Sequence, residues 1–329
     1  MTRVVVTGAA GFVATHTVGA LLDAGCEVVG IDAFTPFYAE TEKRSNVDVH
    51  ADRPGFLLVE GDLAELNLPP VLAGADAVVH LAAQAGVTGS WGTAFATYVR
   101  HNVLATQRLL EACLEAGVPR LVAASSSSVY GDAVAYPCTE SATPLPVSPY
   151  GVTKLAMEQL CLTYARANTG RLDLALLRLF TVYGPHQRPD MALRRFLEAA
   201  MTGRPVIVYG DGEQTRDFTY VSDAARALLR AVEVPVPDPV LNIGGGCRVS
   251  INDTLRLVES VTGRPVTVVR RPTRIGETRH TGADCSLAEA LLGYRPEVDL
   301  ATGLAAEAAW LAGVTVPAAR VPGMTEAQV

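Results

Sequence analysis

The chain has 329 residues, of which 49% are apolar and 6% aromatic, and its formal net charge is −7. A chain of this length can bury a large core, and a composition rich in Ala, Val and Leu is typical of helices packed on buried strands. The negative charge and the scattered Lys/Arg positions argue against a nucleic-acid-binding protein.

The six cysteines are scattered and show neither zinc-ligand spacing nor the pattern of a disulfide framework. No apolar run reaches the length needed to span a membrane, and the chain opens directly on a strand-like segment. We therefore expect a soluble, cytoplasmic protein that binds no metal, membrane or nucleic acid.

The first predicted element is a buried strand over residues 3–7, followed by a glycine turn and a helix that ends near residue 25. Gly8 permits the tight turn, and Gly11 lets the backbone approach a pyrophosphate at the helix N-terminus. Phe12 and Val13 begin that helix. A strand, a glycine turn and a helix in this order predict a dinucleotide site formed by these four residues.

The next predicted strand, residues 27–31, leads into Asp32. An acid there accepts hydrogen bonds from the adenosine ribose and repels a 2′-phosphate, so NAD is favoured over NADP. Asp62 follows a third strand and is expected to meet the adenine. Further strands over 77–80 and 121–124 alternate with helices, which predicts a right-handed parallel sheet.

A tyrosine and a lysine, Tyr150 and Lys154, stand four residues apart and share one face of a predicted helix. A nearby ammonium favours the phenolate, so Tyr150 could act as a base near neutral pH. Alone the pair is a weak signal, because a packed tyrosine and a solvated lysine occur at this spacing by chance.

The combined motifs resemble the extended short-chain dehydrogenase/reductase family, within it the NDP-sugar epimerases and dehydratases. The resemblance runs from residue 4 to about residue 308. It is carried by Thr7–Gly8–Ala9–Ala10–Gly11–Phe12, His80–Leu81–Ala82–Ala83, Asn102–Val103, the Ser-Ser-Ser-Ser-Val-Tyr-Gly run at 125–131, Tyr150-x-x-x-Lys154 and Arg216–Asp217–Phe218.

The resemblance implies an α/β protein with a Rossmann-type doubly wound parallel sheet and a smaller mixed α/β substrate lobe. The NAD-binding domain is expected over 1–182 with a return segment near 219–245, and the sugar-nucleotide lobe over 183–218 and 246–314. Residues 315–329 are expected to be a disordered tail. Further NAD contacts are expected from Leu63, Leu81, Ala82, Ala83 and Asn102.

By the same resemblance, Ser126 hydrogen-bonds the sugar 4-hydroxyl, Tyr150 takes its proton, and Lys154 holds the nicotinamide ribose. Lys154 is also expected to lower the pKa of Tyr150. The NAD cofactor takes the hydride from sugar C4, so the protein residues orient the reactants and move the proton.

The segment 177–192 resembles the UDP-glucuronate 4-epimerase branch, with Phe-Thr-Val-Tyr-Gly-Pro followed by Arg-Pro-Asp-Met. Gly86 and Val87 fit the same branch. Ser128 stands where dehydratases and uronate decarboxylases usually carry a glutamate, which favours simple 4-epimerisation. The alternatives are a decarboxylase or dehydratase that uses the same C4 oxidation, a 4-epimerase of a neutral NDP-hexose, and a non-catalytic NAD sensor.

A 4-keto uronate is a β-keto acid that loses CO₂ easily, so the pocket must hold its carboxylate fixed. Ser127, Ser128 and Thr181 are the predicted donors, with Arg188 nearby. Members of the branch often have arginine where this chain has Thr88 and His186. Neither side chain can form the two-point contact with a carboxylate that arginine forms. The sequence therefore leaves open whether the sugar is a uronate.

The family resemblance also assigns Arg216 and Arg274 to the diphosphate of the sugar nucleotide, which is expected to be UDP-linked. Two guanidinium groups on a diphosphate are favourable electrostatically. The predicted helices over 95–115 and 150–168 carry apolar residues over much of their surfaces. Family members pair such helices in a four-helix interface, so a homodimer is expected.

Overall fold

The structure is a computed structural model that describes residues 1–133 and 135–314. The predicted tail, residues 315–329, lies outside the described residues. The strands are β1 Arg3–Thr7, β2 Glu27–Asp32, β3 Phe56–Glu60, β4 Ala77–His80, β5 Arg120–Ser126, β6 Asp173–Leu179, β7 Thr181–Tyr183, β8 Val206–Tyr209, β9 Thr215–Tyr220, β10 Val240–Ile243, β11 Arg248–Ser250 and β12 Val268–Arg271.

The helices follow the predicted alternation with the strands. They are α1 Phe12–Asp23, α2 Glu40–Ala51, α3 Leu68–Leu72, α4 Phe95–Tyr98, α5 Ala105–Ala116, α6 Pro149–Ala167, α7 Ala192–Thr202, α8 Val221–Glu233, α9 Ile251–Thr262, α10 Ser286–Leu292 and α11 Leu300–Gly313. A π-helical turn, Val99–Leu104, joins α4 to α5. The predicted helix over 95–115 is therefore a helical segment with a widened turn in its middle.

Seven strands form one parallel sheet in the order β10-β6-β5-β4-β1-β2-β3. In β1 the side chains of Val4, Val5 and Val6 are all fully buried. Helices cover both faces of a parallel sheet, so such a strand reads as a continuous apolar run without alternation. The predicted parallel sheet is confirmed.

The two faces of the sheet bury separate apolar clusters, because successive side chains of a strand point in opposite directions. Val5 packs with residues of α3, α5 and α6, among them Leu109 and Met157. Val4 and Val6 pack on the other face with residues of α1, α8 and α10. These two helical layers complete the three-layer α/β arrangement that the sequence predicted.

A smaller group of elements has its own core. β11, β9 and β7 form a mixed sheet, β12 pairs with β8, and residues of α7, α9 and α11 pack together beside them. The predicted fold class, a parallel sheet with a smaller mixed lobe, is confirmed. β10, from the predicted return segment, joins the large sheet, and α8 packs on it. The lobe boundaries themselves stay a prediction.

The order of the large sheet places a crevice at a defined point. From β1 the chain moves to β2 and β3 on one side, and then crosses to β4, β5 and β6 on the other. The connection after β1 therefore runs to one side of the sheet and the connection after β4 runs to the other. Between them a crevice opens at the carboxyl ends of β1 and β4, and ligands bind at such crevices in parallel sheets. No helix in the described part of the chain is both long and apolar enough to cross a lipid bilayer.

Candidate active site

A cavity of about 370 Å³ opens at this crevice. It brings together most of the residues that the sequence singled out, from both the cofactor and the sugar sets. The predicted residues that line it are Gly8, Gly11, Phe12, Val13, Asp32, Asp62, Leu63, Leu81, Ala82, Ala83, Gly86, Val87, Ser126, Ser127, Ser128, Tyr150, Lys154, Thr181 and Arg188.

The glycine turn between β1 and α1 exposes main-chain atoms of Gly8 and Gly11 to the cavity. Gly8 has a φ of +71°, and a Cβ there would lie 2.7 Å from the amide nitrogen of Ala82. Gly11 precedes α1, and no side chain caps this helix end. Because Gly11 and the first residues of α1 line the cavity, the N-terminus of α1 can receive a phosphate group.

Asp32 lies at the end of β2, at the edge of the same cavity. One of its carboxylate oxygens accepts from the Ala10 amide at 3.0 Å and the other from the Phe34 amide at 2.7 Å. These bonds fix the carboxylate and leave lone pairs for ribose hydroxyls. Lys43, from α2, also lines the cavity and donates to the Thr35 carbonyl at 2.7 Å. No sequence motif marked this lysine.

Asp62 follows β3, lines the cavity and forms an ion pair with Arg100. Its carboxylate accepts from the Ala64 amide at 2.8 Å and from Arg100 at 2.8 Å. Burial alone raises the pKa of Asp62, but these two donors bring it below its ordinary value. The carboxylate is therefore ionised and held in place at the end of the cavity near Asp32.

The three predicted catalytic side chains line the cavity together, and burial changes the pKa of both Tyr150 and Lys154. Burial raises the pKa of Tyr150, while a hydrogen bond with Ser126 and the charge of Arg188 lower it. Lys154 instead donates to the Ala124 carbonyl at 2.5 Å, and burial lowers its pKa to about 8. The effect of Lys154 on the pKa of Tyr150 stays a prediction, and the structure adds Arg188 as a further positive charge that acts on the phenol.

Sequence inspection missed Tyr98, a buried side chain that supports this site. Its ring meets that of Tyr150 edge-on, with centroids 6.2 Å apart. Its hydroxyl donates toward the carbonyls of Ala85 and Gly86, at 3.0 and 2.8 Å. Gly86 has a φ of +101°, so this loop has a conformation that favours glycine. Tyr98 thus joins the loop to the catalytic helix.

A buried ion pair lies behind the catalytic strand. Glu158, one helical turn after Lys154, accepts from Nε and one terminal nitrogen of the Arg178 guanidinium, at 2.9 and 2.7 Å. It also accepts from the Ser125 hydroxyl at 2.5 Å. These hydrogen bonds link β5, β6 and α6, and they fix the end of β5, where Ser126 lies.

Ser127, Ser128 and Thr181 line the sugar end of the cavity with Arg188. The Arg188 guanidinium is paired with Asp190, through Nε and one terminal nitrogen, both at 3.0 Å. The sequence did not indicate this pairing, because the two residues are separated by Pro189 in a loop whose shape depends on tertiary contacts.

The two positions that made a uronate doubtful lie outside the lining of the cavity. His186 bonds to Asn46 at 2.7 Å, and its ring lies 5.1 Å from that of Trp310. Burial, with smaller effects from two neighbouring histidines, lowers the pKa of His186 to about 4, so it is neutral near pH 7. Thr88 begins a short 3₁₀ turn. Any carboxylate contact must come from other residues.

Three predicted site residues do not line the cavity. Asn102 is buried and bonds both the amide and the carbonyl of Gln84, at 2.7 and 3.0 Å. Arg216 donates to nearby backbone carbonyls, and Arg274 lies 3.6 Å from the ring centroid of Tyr209. The structure shows Asn102 supporting the loop after β4, and it places both arginines in the smaller lobe.

Metal ligands are not clustered in the described part of the chain. No group of three or more His, Cys, Asp or Glu side chains there could hold a metal ion. The cavity lining itself offers the Tyr150 phenol, the Ser126 hydroxyl and the Lys154 amine, beside the crevice at the carboxyl ends of β1 and β4.

Comparison with known proteins agrees with this arrangement. The sequence pattern of the family described as "NAD dependent epimerase/dehydratase family" matches residues 4–244. A Bacillus subtilis protein named as an uncharacterized UDP-glucose epimerase, YtcB, is 40% identical over 95% of this chain and 98% of its own.

Two solved structures are similar over nearly the whole chain. A UDP-glucuronic acid 4-epimerase from Bacillus cereus, in complex with UDP-glucuronic acid and NAD, is 39% identical with a TM-score of 0.90, covering 95% of this chain and 99% of the other. MoeE5, in complex with UDP-glucuronic acid and NAD, is 44% identical with a TM-score of 0.86, covering 94% and 99%. MoeE5 has also been solved with UDP-glucose and NAD.

Proposed function

The chain belongs to the NAD dependent epimerase/dehydratase family, and on that premise we propose that it is a UDP-glucuronate 4-epimerase. The observation that carries this proposal is the distribution of charge in the cavity. Its described lining has two carboxylates, Asp32 and Asp62, and both lie at the cofactor end. The sugar end offers the Tyr150 phenol, with no lining acid to abstract a proton from C5, as dehydration requires.

The residues of the crevice fit NAD. The Gly8 turn leaves space that a Cβ would fill, the N-terminus of α1 is free for the pyrophosphate, and the carboxylate of Asp32 is fixed beside the predicted ribose. When bound, NAD supplies the hydride chemistry at sugar C4 and is regenerated when the hydride returns. We assign Leu63, Leu81, Ala82 and Ala83 to the walls of this cofactor site.

Within the chain, Tyr150 accepts the proton of the sugar 4-hydroxyl and later returns it. Ser126 orients that hydroxyl, and its own oxygen accepts from the Ser128 amide at 3.1 Å. The Arg188 charge stabilises the phenolate. Lys154 holds the nicotinamide ribose from its place beside the Ala124 carbonyl. Between the two transfers, the 4-keto sugar must turn over in the cavity so that its other face is reduced.

The carboxylate of the sugar requires a fixed position, because loss of CO₂ needs its C–C bond aligned with the carbonyl π-system. Ser127, Ser128 and Thr181 supply hydroxyl groups at the sugar end of the cavity, and Arg188 supplies a guanidinium. We propose that these four groups hold the carboxylate out of that alignment. Epimerisation then proceeds with the carboxylate retained.

The remaining assignments concern residues outside the lining. Arg216 and Arg274 are proposed to bind the diphosphate, for which their side chains must turn from their present contacts with backbone carbonyls and with Tyr209. Asn102 is proposed to act on the cofactor site through the backbone of Gln84. Gly86 and Val87 are proposed to border the sugar.

A 4-epimerase of a neutral UDP-hexose is the second candidate. The observation that favours it is the Arg188–Asp190 pair, since a guanidinium already paired with a carboxylate attracts a uronate less strongly. The MoeE5 complex with UDP-glucose supports a pocket of this kind that accepts a neutral sugar.

Product analysis separates the candidates. The purified protein is incubated separately with UDP-glucuronate and with UDP-glucose, and proton NMR follows the configuration at C4 while CO₂ release is monitored. We expect UDP-galacturonate with the carboxylate retained. CO₂ release would indicate a decarboxylase, and activity confined to UDP-glucose would indicate the neutral-sugar epimerase.

We also propose that the protein is a cytoplasmic homodimer. Val99 and Leu104 on the 95–116 helical segment and Val152 on α6 leave large parts of their apolar side chains exposed, at 39%, 46% and 47%. The six cysteines are all unpaired, which suits a reducing compartment. Exposed apolar side chains on two adjacent helices favour association with a second copy.

Light scattering tests the dimer. The wild type should have twice the chain mass, and Leu104→Glu should be monomeric because it places a charge in the interface. Leu57→Glu, at a residue that is 58% exposed on the edge strand β3, should remain dimeric. A dimeric Leu104→Glu or a monomeric wild type would contradict the proposal.

A further inference from the structure

We propose that Asp190 determines the sugar specificity of this site, by binding Arg188 and so weakening the preference for an anionic sugar. Asp190 is the aspartate of the Arg-Pro-Asp-Met motif, to which the sequence assigned no separate role. The inference rests on the proposed function, because it concerns the group that the site holds at sugar C6.

The contact between the two side chains is a two-point ion pair. Asp190 accepts from Arg188 Nε and from one of its terminal nitrogens, at 3.0 Å each. These two donors form one edge of the planar guanidinium, and that edge is the usual partner of a carboxylate. Three of the five N–H groups are left, two on the other terminal nitrogen and one on the terminal nitrogen that already binds Asp190.

The surroundings of the pair fix it in this place. The Arg188 guanidinium lies over the ring of Phe37, 5.6 Å from its centroid. On the other side, a Cβ built on Gly86 would lie 3.9 Å from Asp190 Oδ2. The side chain of Asp190 remains 41% exposed, whereas that of Arg188 is 19% exposed. Asp190 therefore lies at the rim, and Arg188 lies between it and the cavity.

This arrangement changes the charge that a bound sugar meets. Arg188 and Asp190 together carry no net charge, so a uronate brings a second carboxylate to a single guanidinium. Either the two carboxylates share the guanidinium and repel each other, or Asp190 must leave. A neutral hexose meets neither penalty, because its C6 hydroxyl can accept from the remaining N–H groups.

Replacement of Asp190 by asparagine separates charge from geometry. The amide oxygen of Asp190→Asn still accepts a hydrogen bond from Arg188, so the guanidinium keeps its orientation. The negative charge is gone. We expect the Kd for UDP-glucuronate to fall about tenfold and the Kd for UDP-glucose to stay within about twofold, because only the uronate is repelled by Asp190.

The experiment is calorimetric titration of the NAD-loaded protein with each of the two sugar nucleotides, for the wild type, Asp190→Asn and Glu233→Gln. Glu233 is the matched control, since it is an exposed carboxylate paired with an arginine, Arg230, and neither residue lines the cavity. Glu233→Gln makes the same charge change and should leave both Kd values unchanged.

The ratio of the two Kd values decides the inference, and it requires no turnover. The specificity role is supported if the Kd for UDP-glucuronate, divided by the Kd for UDP-glucose, falls about tenfold in Asp190→Asn and does not change in Glu233→Gln. An unchanged ratio, an equal change for both ligands, or the same shift in Glu233→Gln overturns it and leaves the proposed function standing. If the wild type binds neither nucleotide, the proposed function fails as well, which is a distinct result.

Discussion

Tyr150→Phe should lower kcat with UDP-glucuronate by about 10³-fold and leave UDP-glucuronate binding nearly unchanged. The phenol is the proton acceptor at the sugar end of the cavity, and a positioned acid–base group contributes about 10²–10⁴-fold. Its ring, which packs edge-on against Tyr98, is retained in the variant. Steady-state kinetics with calorimetric binding separates the loss of chemistry from a loss of affinity.

The matched control is Tyr164→Phe, on the same helix but outside the lining of the cavity, where the hydroxyl bonds to Gln107. It should leave kcat unchanged. Burial raises the pKa of Tyr150, so the wild-type rate should rise with pH as the phenolate forms. A fully active Tyr150→Phe would show that another group takes the proton. An inactive wild type would instead support the non-catalytic NAD sensor.

Gly8→Ala should abolish tight NAD binding, raising the Kd by about 100-fold or more. Two effects add at this position. The φ of +71° is strained for alanine, and its Cβ would lie 2.7 Å from the Ala82 amide nitrogen. Since backbone atoms cannot give way as a flexible side chain can, the segment around Ala82 must shift, and it lines the cofactor end of the cavity.

Gly25→Ala is the control for backbone strain. Gly25 has a similar φ of +79°, but a Cβ there would meet nothing within 4 Å. Both variants should lower the melting temperature, and only Gly8→Ala should lose NAD in a calorimetric titration. Equal NAD affinity in the two variants would contradict the assignment of the glycine turn to the cofactor.

Local patterns predicted the large sheet and the cofactor end of the cavity. The apolar run of β1 is buried on both faces, and Gly8 and Asp32 lie where the order of strand, turn and helix put them. These predictions succeed because each depends on a few neighbouring residues. The parallel sheet then brings the carboxyl ends of its strands to one edge.

The electrostatics of the catalytic groups could not be predicted in the same way. Helical spacing predicts that Lys154 and Tyr150 share a face of α6, but it does not show that the ammonium donates to the Ala124 carbonyl or that the charge of Arg188 lowers the pKa of Tyr150. Arg188 follows β7, far from α6 in sequence. Only the packing of the loop after β7 against the cavity shows this contact and the pairing with Asp190.

Three residues of the family motifs lie outside the lining of the cavity, and their contacts with cofactor and substrate stay predictions. Asn102 bonds to backbone from within a π-helical turn, and Arg216 and Arg274 bind carbonyls and a tyrosine in the smaller lobe. A motif records which residue types occur together. It does not distinguish a side chain that touches a ligand from one that supports the backbone beside it.

Transient oxidation at C4 followed by return of the same hydride is the central claim, and isotopic labelling tests it most directly. The protein is incubated with UDP-glucuronate that carries deuterium at C4, and the product is analysed by NMR and mass spectrometry. We predict UDP-galacturonate that retains the deuterium at C4 and the carboxylate at C6. Loss of the label to solvent, or a product that has lost CO₂, would contradict the claim.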